Sequence, residues 1–231
     1  MGKFPEVLYE DNHLIAVNKK AGDIVQGDKT GDEPLSEKVK RYLEEKYNKP
    51  GEAYLGLPHR IDRPVSGIIV LAKTGKALSR INKMFHDKEV QKTYWAIVKN
   101  KPARKEDVIT HFLKKNNAKN KSTAYASPFK DAKEASLKYK LLCSLDNYYL
   151  LEIHPYTGRH HQIRVQLSAM GCPIKGDVKY GFDRTNQDAS IHLHARQLDF
   201  IHPVKKTEIR IVAPPPNEVL WNAALKAAAK V

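Results

Sequence analysis

Cysteine is scarce in this 231-residue chain, with only Cys143 and Cys172. Two are too few for a disulfide framework or a CxxC metal knuckle, and reduced thiols in a cytoplasmic protein are the plain reading. Long apolar runs are also missing. The longest, Ile68 to Ala72, falls far short of the roughly 20 residues of a membrane span. The opening, MGKFPEVLYEDN, lacks the apolar centre of a secretory signal, and Glu6 stands where a myristoylation site carries Ser or Thr. There is no G-x-G-x-x-G stretch, no repeat of fixed period and no composition break that asks for two domains. Acid is short of base, 26 Asp+Glu against 40 Lys+Arg, for a net charge of +14. Such a surplus favours a polyanionic partner, with nucleic acid or an acidic membrane the usual candidates, although a lysine-rich surface kept for solubility gives the same sum.

What is present reads as α+β with a mostly antiparallel sheet. VLYED (7–11), HLIAVNK (13–19), GIIVLAK (67–73), YWAIV (94–98), SLKYKLL (136–142), YYLLEIHP (148–155), IHLHARQLDFIHP (191–203) and TEIRIVAPPP (207–216) have strand character, and many neighbours are joined by short turns. Helices are expected over 34–47, where Leu35, Val39, Tyr42, Leu43 and Tyr47 recur at helical spacing, and over 75–87, 160–171 and the Ala-rich end from 217 to 230. Gly171 is placed to close the third of these. Residues 99–121 hold seven Lys and Arg104 against Glu106 and Asp107. They read as an exposed basic arm or hairpin, running to about residue 127, or equally as a solvated loop.

Three knots carry possible chemistry. In His59-Arg60-Ile61-Asp62-Arg63 an aspartate lies between two arginines and between Pro58 and Pro64, just ahead of a buried strand. Flanking cations keep such a carboxylate ionised, which suits a nucleophile or charge stabiliser better than a general acid. A loop-fixing Asp–Arg pair is the bland alternative. In His154-Pro-Tyr-Thr157-Gly-Arg159-His160-His161-Gln-Ile-Arg164, Thr157 reads as a helix cap and the helix start as a place for phosphate. His192-x-His194 on one strand face, with His160 and His161, hints at zinc, but no Cys or carboxylate completes a ligand spacing, so no metal is expected.

HRIDRPVSGIIVLAKT, QKTYWAIV, HPYTGRHHQIRVQLSAMGCPIKGDVKYG and LHARQL, in this order between residues 59 and 198, resemble the RluA-type pseudouridine synthases, and the resemblance reaches roughly from residue 7 to 216. The resemblance implies a single catalytic domain over 1–231 with a central, mostly antiparallel mixed sheet flanked by helices and loops, and no separate N-terminal RNA-binding module. It implies isomerisation of uridine in ribosomal or transfer RNA without cofactor or metal. Residue by residue, Asp62 matches the family's essential aspartate and Arg60 the arginine that helps displace the flipped base. Tyr94 matches the tyrosine that stacks on uracil, Arg164 the basic residue that pairs with the catalytic carboxylate, and Leu193 an apolar residue packed under the tyrosine. Arg63, Arg159, His160, Lys114 and Lys115 are the further side chains expected on RNA. Ile61 replaces a commoner Leu, and Gln166 stands where many relatives have His; both bear on substrate rather than on activity.

The chemistry suits these residues. Pseudouridylation breaks the bond from ribose C1′ to uracil N1 and joins C1′ to C5. An extruded base needs an aromatic platform and an inserting cation. Uracil anion is a tolerable leaving group, so one carboxylate suffices where ordinary glycosidases use two. The carboxylate either adds to C1′ or removes a ribose proton to give a glycal, and Tyr94 is a candidate for taking the C5 proton. The rival readings are a catalytically silent RNA-binding or assembly factor on the same fold, an N-glycosidase that releases uracil, and a basic structural protein. The protein is expected to be cytoplasmic and monomeric, with RNA its partner and no membrane or obligatory protein partner.

Overall fold

The computed structural model describes residues 4–27, 31–48 and 50–229. The first three residues of the opening segment and Lys230, at the end of the expected last helix, lie outside them. The chain forms two compact units, one from the chain up to Lys92 together with Ala195–Pro215, the other from Thr93–His194 together with Pro216 onward. Ten strands and four α-helices make up the regular structure among the described residues, and the α+β class with mostly antiparallel pairing is the one expected.

In the first unit β1 (Glu6–Glu10) and β2 (Leu14–Lys19) form a hairpin, and β2 pairs antiparallel with β3 (Ser66–Ala72). Two helices, α1 (Leu35–Tyr47) and α2 (Gly75–His86), cover the opposite faces of these strands. Leu14, Ala16, Ile68 and Val70 pack with Ala77, Ile81 and Met84 of α2. Ile15, Val17, Ile69 and Leu71 pack with Leu35, Val39 and Leu43 of α1. Every residue of β3 is buried, which is why its sequence is a continuous apolar run and not an alternation. Thr74 caps α2 by accepting from the Ala77 amide at 3.2 Å, and Asn48 ends α1 in the left-handed conformation at φ 46°. Tyr47 departs from the expected core stripe and is exposed, whereas Tyr42 packs against it; the hydroxyls of Tyr42 and Tyr47 donate to Glu10 at 3.0 and 2.6 Å.

The second unit carries β4 (Gln91–Val98, whose first two residues belong to the first unit), β5 (Glu106–Asn116), β6 (Lys121–Tyr125), β7 (Lys133–Ser144) and β8 (Tyr149–Pro155) in the order β4-β8-β7-β5-β6. The basic segment is thus largely ordered sheet, with β5 laddered to both β6 and β7. One face packs on α3 (Gln162–Ala169) through Leu113, Ala135, Val165 and Tyr180, the last from a single 3₁₀ turn at Val178–Tyr180. The other packs on α4 (Val219–Ala228), where Trp221 and Ala224 meet Ile97 and Leu150. The Glu218 carboxylate caps α4 at the Trp221 amide, 2.9 Å away, and lies 2.8 Å from His192 Nε2. His192 and His194 both contact the Trp221 ring, and no three His, Cys, Asp or Glu among the described residues are grouped to hold a metal. No helix is long and apolar enough to cross a membrane, again among the described residues.

β9 (Leu193–Ile201) opens in the second unit and continues in the first, where it pairs antiparallel with β10 (Glu208–Val212). Gly67 explains the glycine of the RPVSG motif. Its φ is +118°, and a Cβ built there would lie 2.3 Å from the Ala195 carbonyl oxygen and 2.5 Å from its nitrogen. Only glycine permits both the dihedral and the approach of the two backbones. Gly67→Ala is therefore expected to cost roughly 3 kcal/mol, from a backbone clash added to left-handed strain. Gly27→Ala, with nothing within 4 Å of its built Cβ, is the near-neutral comparison. Urea midpoints of the two variants at unchanged m check this.

Candidate active site

The loop 59–65 joins the end of a turn-rich stretch to β3, and its backbone is fixed from several sides. Asp62 opens a tight turn in which its carbonyl accepts from the Val65 amide at 3.0 Å. Pro64 sets one φ inside that turn. His59 anchors the loop's start: its Nε2 accepts from the Val70 amide at 2.9 Å, and its ring stacks on Phe85 at 4.7 Å. Burial, with a smaller push from the Lys92 ammonium, lowers the His59 pKa to about 3, so the imidazole is neutral and remains an acceptor at physiological pH.

Beneath the loop lies a lysine that sequence reasoning left unremarked. Lys19 ends β2 and is 0% exposed. Its ammonium donates to the carbonyls of Lys20, Asp23 and Arg63 at 2.9, 2.8 and 3.0 Å. Three donors meet three acceptors, which is how a buried charge is tolerated. The Gly22 amide also donates to the Arg63 carbonyl, at 2.9 Å. The residue after Asp62 is thus tied to the turn that follows β2. Burial lowers the Lys19 pKa to about 8, while the Asp23 and Asp62 carboxylates pull it back up. Asp62 itself is half-buried, and Arg60 and Arg63 are exposed. Arg63 meets Asp32 at 2.6 Å with both side chains about half exposed, a contact of small energetic weight.

The remaining predicted side chains lie in the second unit or open into it. Tyr94 is half-buried on β4 opposite Ile153 of β8. Leu193, 3% exposed, begins β9. Arg164 is the third residue of α3 and is 5% exposed. Its Nε and Nη2 donate to the two carboxylate oxygens of Asp177 at 2.7 and 2.8 Å, and Tyr180 lies under the guanidinium at 5.1 Å. Asp177 is 1% exposed. A fork-to-fork pair of this kind fixes the plane of the guanidinium. Asp177 and Tyr180 come from KGDVKYG, a motif that reads as family pattern in the sequence but there offers no role for either side chain.

The start of α3 differs from expectation. Thr157 is not its cap. The helix begins at Gln162, with His161 before it in the left-handed region at φ 53° and without a capping side chain. The Thr157 hydroxyl instead accepts from the Ser136 amide at 3.0 Å and donates to Gln162 Oε1 at 2.8 Å. Gln162 Oε1 also takes the Arg159 amide at 2.9 Å. The glutamine thus replaces the cap and ties the turn to β7. At the other end Gly171, at φ +78°, closes α3, and the Cys172 amide reaches back to the Leu167 carbonyl.

His160 and the basic hairpin are brought together. His160 Nδ1 lies 2.9 Å from Ser122 Oγ and Nε2 3.0 Å from Asn120 Oδ1. Arg159, exposed, donates to the Glu134 carbonyl at 3.0 Å. Lys114 and Lys115 stand on β5, the first 3.5 Å from Asp131.

The lysine cage sets a testable expectation. Lys19→Met leaves three carbonyls without their donor and should cost on the order of 3 kcal/mol. The unfolded chain holds this proton up to its ordinary pKa of 10.5 and the folded chain only to about 8. Unfolding therefore takes up a proton between those values, and the lysine's contribution to stability rises with pH across that window. The stability gap between wild type and Lys19→Met should accordingly widen from pH 8 to 10.5. Urea titrations of the pair at both ends of the window measure it.

The comparisons with known proteins agree with the motifs. The RNA pseudouridylate synthase family pattern matches residues 13–169. A Vibrio cholerae ribosomal large subunit pseudouridine synthase C is 34% identical over 214 residues, covering 90% of this chain and 65% of the relative. The Rickettsia felis protein of the same name is 38% identical over 177 residues, 76% of this chain and 55% of that one. The chain thus spans at most about two thirds of the length of these relatives. Among solved structures, human RNA pseudouridylate synthase domain containing 4 superposes with a TM-score of 0.77 at 26% identity, over 97% of this chain and 93% of that one. Human RNA pseudouridylate synthase domain containing 1, at 20% identity and a TM-score of 0.70, shares the fold. With two thirds of its length matched by the family pattern and its motifs seated on the strands, loop and helix just described, the chain belongs to the RNA pseudouridylate synthase family.

Proposed function

We propose that the protein converts uridine to pseudouridine in RNA of the large ribosomal subunit, with Asp62 as the catalytic carboxylate. The observation that carries this reading is the loop 59–65. It presents a half-buried aspartate from a backbone held by Lys19, His59 and its own turn, in the motif where the family keeps its essential aspartate. A carboxylate that must meet C1′ of an extruded nucleotide gains from such fixing, because positional freedom in the ground state is lost rate. The large-subunit substrate is suggested by the bacterial relatives' names.

The roles follow from side-chain chemistry. Asp62 adds to C1′ as the C1′–N1 bond breaks and the uracil anion leaves with the bonding pair, or it takes a ribose proton to give a glycal. The base turns and C5 joins C1′ as the Asp62–C1′ bond breaks and the carboxylate leaves, or, on the glycal route, as the ribose takes its proton back; the C5 proton then passes to a base and N1 is protonated. The product contains the atoms of the substrate, so neither an oxidant nor a group donor enters the balance. Tyr94 supplies a face for the uracil and is the candidate acceptor of the C5 proton. Arg60, exposed beside Asp62 in the sequence, takes the place of the displaced base. Arg164, its plane set by Asp177, supplies fixed positive charge for the carboxylate, and Leu193 packs under the tyrosine. Arg63, Arg159, His160, Lys114 and Lys115 contact the polynucleotide. Two unpaired thiols, Cys143 and Cys172, suit a reducing cytoplasm.

Asp62→Asn is expected to fold with near-wild-type stability and to lose all turnover, read as tritium release from C5-labelled uridine RNA. Retained release would defeat the assignment. RNA binding that persists in a wild type that forms no isomer would instead leave an RNA-binding factor. Carbodiimide-stop mapping on RNA from cells lacking the protein names the uridine.

The hairpin makes a separate electrostatic prediction. Neutralising Lys114, Lys115, Lys119 and Lys121 together should weaken RNA binding and flatten the plot of log K against log salt by up to about 3, since each phosphate contact contributes about 0.7–0.9 to the slope. Filter-binding titrations over a salt series measure it, and an unchanged slope returns the hairpin to a solvated surface.

A further inference from the structure

The side of the basic hairpin turned away from α3 carries a feature that the proposed chemistry leaves unused. Leu113 of β5 and Ala124 of β6 face the α3 core. By alternation their neighbours Phe112 and Tyr125, paired across the hairpin, face the other way. The chain after β6 reverses through residues 126–132, with the Ala132 amide donating to the Phe129 carbonyl at 3.0 Å and Asp131 left-handed at φ 61°. This reversal lays Phe129 back on Tyr125 with ring centroids 4.1 Å apart and planes 4° from parallel. Phe129 remains 48% exposed and Tyr125 half-buried, so the outer ring of the stacked pair stands at the surface.

The surroundings are cationic. Residues 112–134 hold six lysines against Asp131 and Glu134. Lys114 Nζ lies 5.5 Å from the Phe129 ring centroid and 3.5 Å from Asp131. A flat aromatic stack among lysines fits a nucleobase whose flanking phosphates meet the ammonium groups. Stacking on such rings is sequence-tolerant, since every base has a π-face, and it requires the base to be unpaired.

We propose that Tyr125 and Phe129 form a base-stacking site for an unpaired nucleotide of the RNA, separate from the nucleotide that is isomerised, with the hairpin lysines on its flanking phosphates. This rests on the RNA substrate proposed above. The site deepens that reading: the preferred RNA has a single-stranded stretch near the target and is not a continuous duplex.

The test uses the full chain and a short single-stranded oligouridine carrying one 2-aminopurine, whose fluorescence is quenched on stacking. The wild type should quench the probe. Phe129→Leu keeps apolar bulk, removes the π-face, and should lower affinity about tenfold with loss of quenching. The log–log salt slope should stay unchanged, because the phosphate contacts remain. Phe129→Tyr should restore both readouts, and binding to a duplex RNA of equal length should be the same in all three proteins. Wild-type affinity and quenching in Phe129→Leu, or an equal loss on duplex, would overturn the proposal. So would self-association of the wild type that Phe129→Leu abolishes, which would make the patch a contact between copies. The two proposals fail separately. If tritium release is present while Phe129→Leu binds normally, only the stacking site is lost; if quenching depends on Phe129 while no isomer forms, only the synthase reading is lost.

Discussion

A single buried ammonium holds the loop on which the proposed chemistry depends. Lys19 Nζ reaches three carbonyls, two from the turn after β2 and one from Arg63, the residue next to Asp62. Such a charge is costly to bury, and its lowered pKa records that cost. The same cost makes the arrangement specific. If the loop shifts, the ammonium loses an acceptor in a place where water cannot replace it, at about 1–3 kcal/mol for each unmade bond. Neutral groups could hold a loop more cheaply, but they would not also place a positive charge within Coulombic reach of the Asp62 carboxylate.

Arg164 is handled in a parallel way in the second unit. A lone arginine on a buried helix face would be expensive and free to turn. Asp177 fixes it through two parallel hydrogen bonds, and Tyr180 lies beneath its plane. Tyr180 in turn accepts from the Ser122 amide at 2.8 Å, and its hydroxyl lies 2.8 Å from His161 Nδ1. The helix, the 3₁₀ turn and the hairpin foot therefore share one tyrosine. The two parallel bonds between buried groups set the plane of the guanidinium, and loss of the Asp177 carboxylate would weaken that constraint on a buried charge.

Much of the fold is legible in the sequence because its patterns follow burial directly. The run SGIIVLA is continuous since α1 and α2 cover both faces of β3, and the α2 stripe ends where Thr74 caps it. The pattern fails where side-chain polarity misreports burial. Lys133 and Glu134 open β7 as exposed strand residues, and their charge hides where the strand begins. β5 and β6 carry lysines on an open sheet, so a ladder looks like a basic loop. Tyr42 and Tyr47 sit at helical core spacing but turn their hydroxyls to Glu10. Of the proposed functional residues, Asp62, Tyr94 and Arg164 are visible through motif resemblance, whereas their supports are not. Lys19 lies between Asn18 and Lys20 at the end of the strand HLIAVNK, and nothing local distinguishes a caged lysine from a solvated one. Asp177 is one carboxylate among 26 acidic residues, marked only by the arginine that the fold delivers to it.

The supports and the reacting groups follow different physical rules, and this explains the difference in legibility. A reacting group must be of one chemical type, so the identity of each proposed one persists as a motif: an aspartate between arginines, a half-buried tyrosine inside β4, an arginine on a short helix. A support must only satisfy whatever its neighbours leave open, and its identity depends on distances that appear after folding. Gly67 lies between the two cases. It carries no chemistry, yet the backbone of Ala195 passes so close that no other residue fits, and the constraint therefore shows in the sequence as part of RPVSG. A support becomes readable where it leaves room for only one side chain. Lys19 does not meet that condition from sequence alone, because the space it fills is defined by three carbonyls from two separate turns.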